Sequence, residues 1–374
     1  MCKKRYFFLL PILSIGSAFL AFFTLFLITI AVVIVYKLSQ VGGKYAYSPL
    51  SAITVAEFFK LCMSAIFFTY HVYNQYETIT NNNGSFFKYW IHEIITQTNY
   101  KAFFSIGGLG FCYFINNQLT FILFLYIDTA SVTLFKSFSS LQTAILLWLF
   151  FSRAINKLQW VSICLQVIGL IIVQYDPCKH TTILTGNDYL LLILSTSITS
   201  LSSVWNEYAV KQFTIELHLQ NMILYLFGVV LNSFGFFLLP FVFPDFEWSS
   251  ISFFQGYNTS VFGVILCNSV IGIVITAVYK YADAVIKTFS TACATAALLF
   301  INLFFFHTET NINAFLGSAV VFIAAYIYFA TTASNVSQTP MNVNNNNQTV
   351  KYQVLDNPTS NDKEDSELES IGTN

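Results

Sequence analysis

Residues 280–290 read Lys280-Tyr281-Ala282-Asp283-Ala284-Val285-Ile286-Lys287-Thr288-Phe289-Ser290 and sit between two long apolar stretches. On one helix, positions 280, 283 and 287 recur at i, i+3 and i+7, so two ammonium groups and one carboxylate would share a face. Other ionisable residues within apolar runs are few: Glu57 with Lys60 (i, i+3), Lys136, and Glu207 with Lys211 (i, i+4). Each such charge costs about 2.5–3.5 kcal/mol at a membrane helix centre, so each needs a use. Glu57/Lys60 and Glu207/Lys211 are spaced to neutralise one another. They are assigned structural or gating roles, as is Asp283, which Lys280 and Lys287 share. Lys136 differs, because its nearest acidic residue in sequence, Asp128, is more than two helical turns back. Lys136 and Lys287 stand among hydroxyls (Ser137, Ser139, Ser140, Thr288, Ser290) and amides (Asn116, Asn117, Gln118). Such a set suits a mobile anion with several oxygens, such as a phosphate ester.

The elements that hold these residues follow from composition. The 374 residues are 56% hydrophobic and only 9% charged, with 41 Phe, and the mean hydropathy is +0.63. A soluble protein carries roughly 25% charged residues. Continuous apolar runs such as Phe19–Val35 and Leu141–Phe151 define helices rather than the alternating segments of a β-barrel. The fold class expected is an all-α polytopic membrane protein. Ten spans are expected near 14–36, 48–70, 102–126, 128–151, 157–175, 187–209, 220–243, 256–281, 284–306 and 311–333. They form one ten-helix domain over 1–334, and the Asn-, Thr- and Ser-rich stretch 335–374 reads as a disordered cytosolic tail. Phe7–Tyr36 is too long for the apolar core of a cleaved signal peptide and reads as a signal anchor.

Lys and Arg outside the spans fall mainly on one side. With the N-terminus cytosolic, that side receives Lys3, Lys4, Arg5, Lys88, Lys101, Arg153, Lys157, Lys211, Lys280 and Lys287, against Lys37, Lys44 and Lys179 opposite. Both termini are therefore expected in the cytosol, which leaves the sequon Asn83-Gly84-Ser85 unglycosylated. Lys136-Ser137-Phe138-Ser139-Ser140 before Thr143-Ala144 resembles Lys287-Thr288-Phe289-Ser290-Thr291 before Thr295-Ala296. The two segments are five spans apart, so the halves, about 14–175 and 187–333, would be inverted repeats, an arrangement used for alternating access.

Several functions are set aside. The chain has no Walker loop, Gly-x-Ser-x-Gly or His-Glu-x-x-His pattern, so no enzyme, no cofactor and no metal is expected. A net charge of −1 without a long basic block argues against nucleic acid. The seven cysteines are scattered singly and read as packing residues. Membrane lipid is the expected surroundings, and Tyr89-Trp90, Trp160 and Trp248 read as interface anchors.

Taken in order, Ala56-Glu57-Phe58-Phe59-Lys60-Leu61, Asn117-Gln118 before Tyr126-Ile127-Asp128, Leu158-Gln159-Trp160, Val173-Gln174, Val204-Trp205-Asn206-Glu207 with Lys211, Asn221, Gly256-Tyr257 and the 280–290 run resemble the nucleotide-sugar transporters of the Golgi. The resemblance is to the branch of UDP-galactose, UDP-N-acetylglucosamine and CMP-sialic acid carriers and covers nearly all of 20–333. It implies ten helices in two inverted five-helix repeats, in a Golgi or ER membrane. It also implies exchange of a cytosolic nucleotide sugar for lumenal nucleoside monophosphate, and it is compatible with a homodimer. On this reading Lys136, Lys280 and Lys287 contact phosphates, and Asn117, Tyr281, Asn221 and Tyr225 position nucleoside or sugar. The family's fourth-helix lysine is replaced by Ser139, with Lys136 one turn earlier expected to take its place. The family's Glu-Lys is Glu207-Tyr208 here, and its Arg before Asn221 is Gln220. Phe227-Gly228 resembles the UDP-sugar carriers, whereas Tyr225 matches the CMP-sialic acid type. The alternatives to a UDP-sugar carrier are a CMP-sialic acid carrier and a non-transporting scaffold of the same fold.

Overall fold

The computed structural model describes residues 4–40, 46–79, 85–127, 129–174, 185–242, 252–306 and 311–338. Every regular element among them is a helix. In order they are α1 (Lys4–Ser39), α2 (Pro49–Ile79), α3 (Phe86–Gln97), α4 (Tyr100–Tyr126), α5 (Thr129–Ser137) and α6 (Ser139–Phe151). There follow α7 (Lys157–Gln174), α8 (Gly186–Gln212), α9 (Leu217–Val242), α10 (Thr259–Tyr281), α11 (Ala284–Phe306) and α12 (Ile312–Gln338). Asp128, the sequon Asn83, Trp248, Cys2, Cys178 and the tail from 339 lie outside the described residues.

Among the described residues, eight segments are long and apolar enough to cross a membrane, and the chain is an all-helical polytopic membrane protein. The other two expected spans, 102–126 and 187–209, coincide with α4 and α8, continuous helices of 27 residues each. Polar residues dilute their apolar character: Asn116-Asn117-Gln118 in α4, and Ser195, Thr196, Ser200, Ser202, Ser203 and Asn206 in α8, all of the latter buried. The two helices pack on each other. Both helices carry polar side chains that find partners inside the bundle, away from hydrocarbon, as Asn116 does with Thr199 and Asn206 with Tyr113.

The expected span 128–151 is present, its described part Ser131–Phe151 being one of the eight, with the α-helix interrupted at Phe138 alone. α5 ends at Ser137 and α6 starts at Ser139, with the Phe138 N–H bonded to the Phe135 carbonyl at 3.1 Å. The Ser137 hydroxyl donates to Leu134 O at 2.6 Å, and such side-chain bonds compete with the helical ladder. The junction expected between the spans 256–281 and 284–306 is found, with α10 ending at Tyr281 and α11 beginning at Ala284. Ala282 leaves helical geometry at φ −134°, ψ −128°, and Asp283 caps α11 by accepting from the Ile286 N–H at 2.7 Å. Lys280 and Lys287 thus stand on different helices, and the shared face expected from their spacing does not form.

α1 packs against α10 and α11, α2 against α9 and α10, α4 against α8 and α9, α6 against α8, and α7 against α12. At Gly317 an added Cβ would lie 2.6 Å from Val173 N and 2.7 Å from Gly169 O, both backbone atoms. Small residues let α7 and α12 approach that closely, the usual means of tight association in lipid. One apolar core gathers Phe289, Val285 and Tyr328 with residues of α6, α7 and α12, and another joins Phe68, Ile106, Leu109 and Leu219 of α2, α4 and α9.

Candidate functional site

Two cavities open between these helices. The first, about 170 Å³, is lined by Glu57 and Lys60 of α2, Tyr113 and Asn117 of α4, Asn206 of α8, Tyr225, Gly228 and Asn232 of α9, and Thr276 of α10. Lys60 Nζ lies 2.7 Å from Glu57 Oε1 and 5.5 Å from the Tyr225 ring centroid, within cation–π range. Gly228 makes room for this pair, since a Cβ there would fall 2.6 Å from Glu57 Oε2. Asn206 donates to Tyr113 at 2.9 Å and Asn232 to Gly228 O at 2.8 Å, and the Oδ1 atoms of both are buried without partners. Asn221, also buried, donates to Thr276 at 3.0 Å behind the cavity wall. Amide oxygens, a phenol and a paired lysine make this a chamber for a flat, hydrogen-bonding group.

The second cavity, about 270 Å³, is lined by Thr133, Lys136 and Ser137 of α5, Ser139 and Ser140 of α6, Gln166 and Gln174 of α7, Thr199 of α8, and Lys287, Thr288, Thr291 and Thr295 of α11. Lys136 and Ser139, three residues apart across the interruption at Phe138, line the same cavity. Lys136 Nζ donates to Thr120 Oγ1 at 3.2 Å and Lys287 Nζ to Ser203 Oγ at 3.3 Å. Ser200 donates to the Ser139 carbonyl at 3.1 Å, which satisfies backbone near the break. None of the described lining residues is acidic. Two cations among hydroxyls have the chemistry to hold an anion.

One face of α8 contributes to both chambers. Thr199, Ser203 and Asn206 follow at i, i+4 and i+7: Thr199 lines the lysine cavity, Ser203 holds Lys287, and Asn206 lines the amide cavity. Thr199 also donates to Asn116 Oδ1 at 2.7 Å, beside Asn117.

A third group of charges closes one end of the bundle. Arg153, in the loop after α6, lies 2.6 Å from Asp283 Oδ2 and 3.6 Å from Glu207 Oε1. Lys211 lies 2.6 Å from Glu207 Oε1 and donates to Ala282 O at 2.8 Å, and Glu207 Oε2 accepts from the Ala284 N–H at 2.8 Å. Burial alone would raise the Asp283 carboxyl, but Arg153, Lys211 and the Ile286 N–H hold it below the usual carboxylate value.

The sequence-derived residues are therefore divided. Lys136, Ser139 and Lys287 meet in the lysine cavity, Asn117 and Tyr225 line the amide cavity, and Asn221 lies just behind it. Lys280 and Tyr281 are exposed at the end of α10 and line neither. Asp283 pairs with Arg153, so the sharing assumed between Lys280 and Lys287 is not seen. Glu57 and Lys60 pair as expected but also line a cavity. Arg153, Tyr113, Gln166 and Thr199 were not singled out, and only a map of which helices touch could have raised them.

An all-helical bundle with a polar, lysine-bearing interior defines a membrane carrier of anionic solutes. A family model, "Nucleotide-sugar transporter", matches residues 15–329, and the chain belongs to that family. It is 27% identical over 310 residues to "CMP-sialic acid transporter 1" of Arabidopsis thaliana, with 79% of this chain and 85% of that protein covered. It is 28% identical over 302 residues to "CMP-sialic acid transporter 4" of Oryza sativa subsp. indica, with 79% and 72% covered. A crystal structure sharing 12% identity superposes with a TM-score of 0.61, covering 87% of this chain and 99% of that one, a likeness of fold.

Proposed function

We propose that this chain is an antiporter of the Golgi membrane that exchanges a cytosolic nucleotide sugar, UDP-galactose or UDP-N-acetylglucosamine, for lumenal nucleoside monophosphate. The observation that supports the reading is the pair of cavities lined from one face of α8, with Lys287 of the lysine cavity bonded to Ser203 on that face. The base occupies the amide cavity by Asn117 and Tyr225, the phosphates meet Lys287 and Lys136, and the sugar lies among the hydroxyls beyond. Nucleotide sugar and nucleoside monophosphate each carry about two negative charges near neutral pH, so two lysines suit both halves of an exchange. The empty carrier, with those charges uncompensated by cargo, switches reluctantly, which makes exchange strict.

Ten spans in two inverted five-helix repeats, with both termini cytosolic, are part of the same proposal. Its support is the pairing of helices. With α1, α2, α4, α5/α6 and α7 corresponding to α8, α9, α10, α11 and α12, the contact of α1 with α10 has its counterpart in α8 with α4. That of α1 with α11 is matched by α8 with α6, and that of α2 with α10 by α9 with α4. The pairs α2–α9 and α7–α12 lie on the axis. A CMP-sialic acid carrier is the second reading, supported by Tyr225 and by the relatives' names. Counterflow in proteoliposomes preloaded with UMP or CMP, against UDP-, GDP- and CMP-linked sugars, tests both. Uptake of a UDP-sugar driven by internal UMP is expected, CMP-sialic acid uptake driven by CMP would establish the second reading, and equal flux without internal nucleotide would sink strict exchange. A scaffold would show neither flux nor nucleotide-dependent thermal stabilisation.

A further inference from the structure

The lysine cavity has a wall that this assignment leaves unused. Gln166 and Gln174 stand on α7 at i and i+8 and both line it. Gln166 is only 1% exposed. Its Nε2 donates to the Thr288 carbonyl at 3.3 Å, which orients the carboxamide, while its Oε1 has no partner in the protein, nor has that of Gln174. A buried acceptor left without a donor costs about 1–3 kcal/mol, so this wall calls for an O–H or N–H. A phosphate dianion cannot supply one, because it offers only acceptors. The Lys287 ammonium, which could, is directed at Ser203 on α8. A sugar hydroxyl is the group that donates to such an oxygen while standing beside a lysine-bound phosphate.

We propose that Gln166, with Gln174 two turns further along α7, accepts hydrogen bonds from hydroxyls of the hexose half of the cargo and so sets which nucleotide sugar is held. The inference rests on the transport reading above. Its test uses the full-length protein in detergent, with dissociation constants measured for UMP, CMP, UDP-galactose, UDP-N-acetylglucosamine and CMP-sialic acid. Gln166→Met keeps the length of the side chain and removes the acceptor. Affinity for at least one nucleotide sugar should fall about three- to tenfold, while that for the matching monophosphate, which keeps the ribose and lacks the hexose, stays within about twofold. Equal losses for both would mean that the amide only braces α11 through Thr288, and unchanged affinities would mean that no sugar hydroxyl reaches it. Either result overturns the proposal. Gln174→Met leaves the Thr288 bond intact and should show the same split in smaller measure, which keeps the test decisive if Gln166→Met does not fold. If the wild-type protein binds none of the five compounds, the transport reading falls first.

Discussion

Lys60 and Lys287 are the same side chain on two helices of one bundle, each facing a cavity, yet their charges are balanced differently. Lys60 has Glu57 at 2.7 Å, one turn away on its own helix. Lys287 has the Ser203 hydroxyl at 3.3 Å, and no acidic residue is among the described lining of its cavity. Arg153 stands at the far end of this series, with Asp283 and Glu207 both in reach. A cation already beside a carboxylate offers a passing anion little net attraction, whereas one held by a hydroxyl dipole offers nearly its whole charge. The comparison separates a charge network that holds helices together from a paired lysine that shapes a chamber and from a lysine held by a hydroxyl.

Breaking the most compensated member should do the most damage to the fold. Arg153→Ala leaves Asp283 buried without its counter-charge and should cost on the order of 3 kcal/mol, read as a lower unfolding temperature in detergent. The pH dependence carries a sign. The Asp283 carboxyl is held below its usual value in the folded protein. Its stabilisation is therefore present above the unfolded-chain value, about 3.9, and is lost as pH falls through the lower folded value. Acidification below about pH 4 should lower the unfolding temperature of wild type, and Asp283→Asn should abolish that component.

Removing a cation held by a hydroxyl should spare the fold and remove binding. Lys287→Ala is expected to weaken nucleoside monophosphate binding about 100-fold, as loss of a close charged contact does. A change within about threefold would place the phosphates elsewhere. Lys136→Ala should cost about tenfold in exchange rate, and Ser139→Lys in that background should restore part of it, because both positions line one cavity. Intact transport in Lys136→Ala would end its assignment to phosphate. The smallest effect is expected where charge is removed as a pair. Lys60→Met with Glu57→Gln should weaken binding by only about threefold, and a loss equal to that of Lys287→Ala would erase the distinction between the two lysines.

Much of this was legible along the chain, for reasons particular residues show. The helices α7, α10 and α11 fall within a few residues of the expected spans, and α2 and α12 start within one residue of theirs, because hydropathy is a local sum. Lys136 and Lys287 stood out because a lysine in hydrocarbon is costly wherever the neighbours are. The junction at Ala282–Asp283 fell where two apolar runs part, whereas the interruption at Phe138 was not foreseen, since Ser137 favours one only where its side chain actually bonds the backbone. The third helix, Phe86–Gln97, escaped because an amphipathic segment forms no apolar run.

The sequence by itself determined that the chain spans a membrane as helices, which buried charges it carries, and which family pattern they follow. Each of these depends on residue type and near neighbours. Only the tertiary structure decided that Asp283 belongs to Arg153, 130 residues away, that Lys280 stands outside both cavities, and that Gln166, with its buried and unpartnered oxygen, lines the same cavity as Lys136 and Lys287. Those facts depend on which helix faces meet, and that is set by packing across the bundle, which no local pattern of hydropathy or charge records.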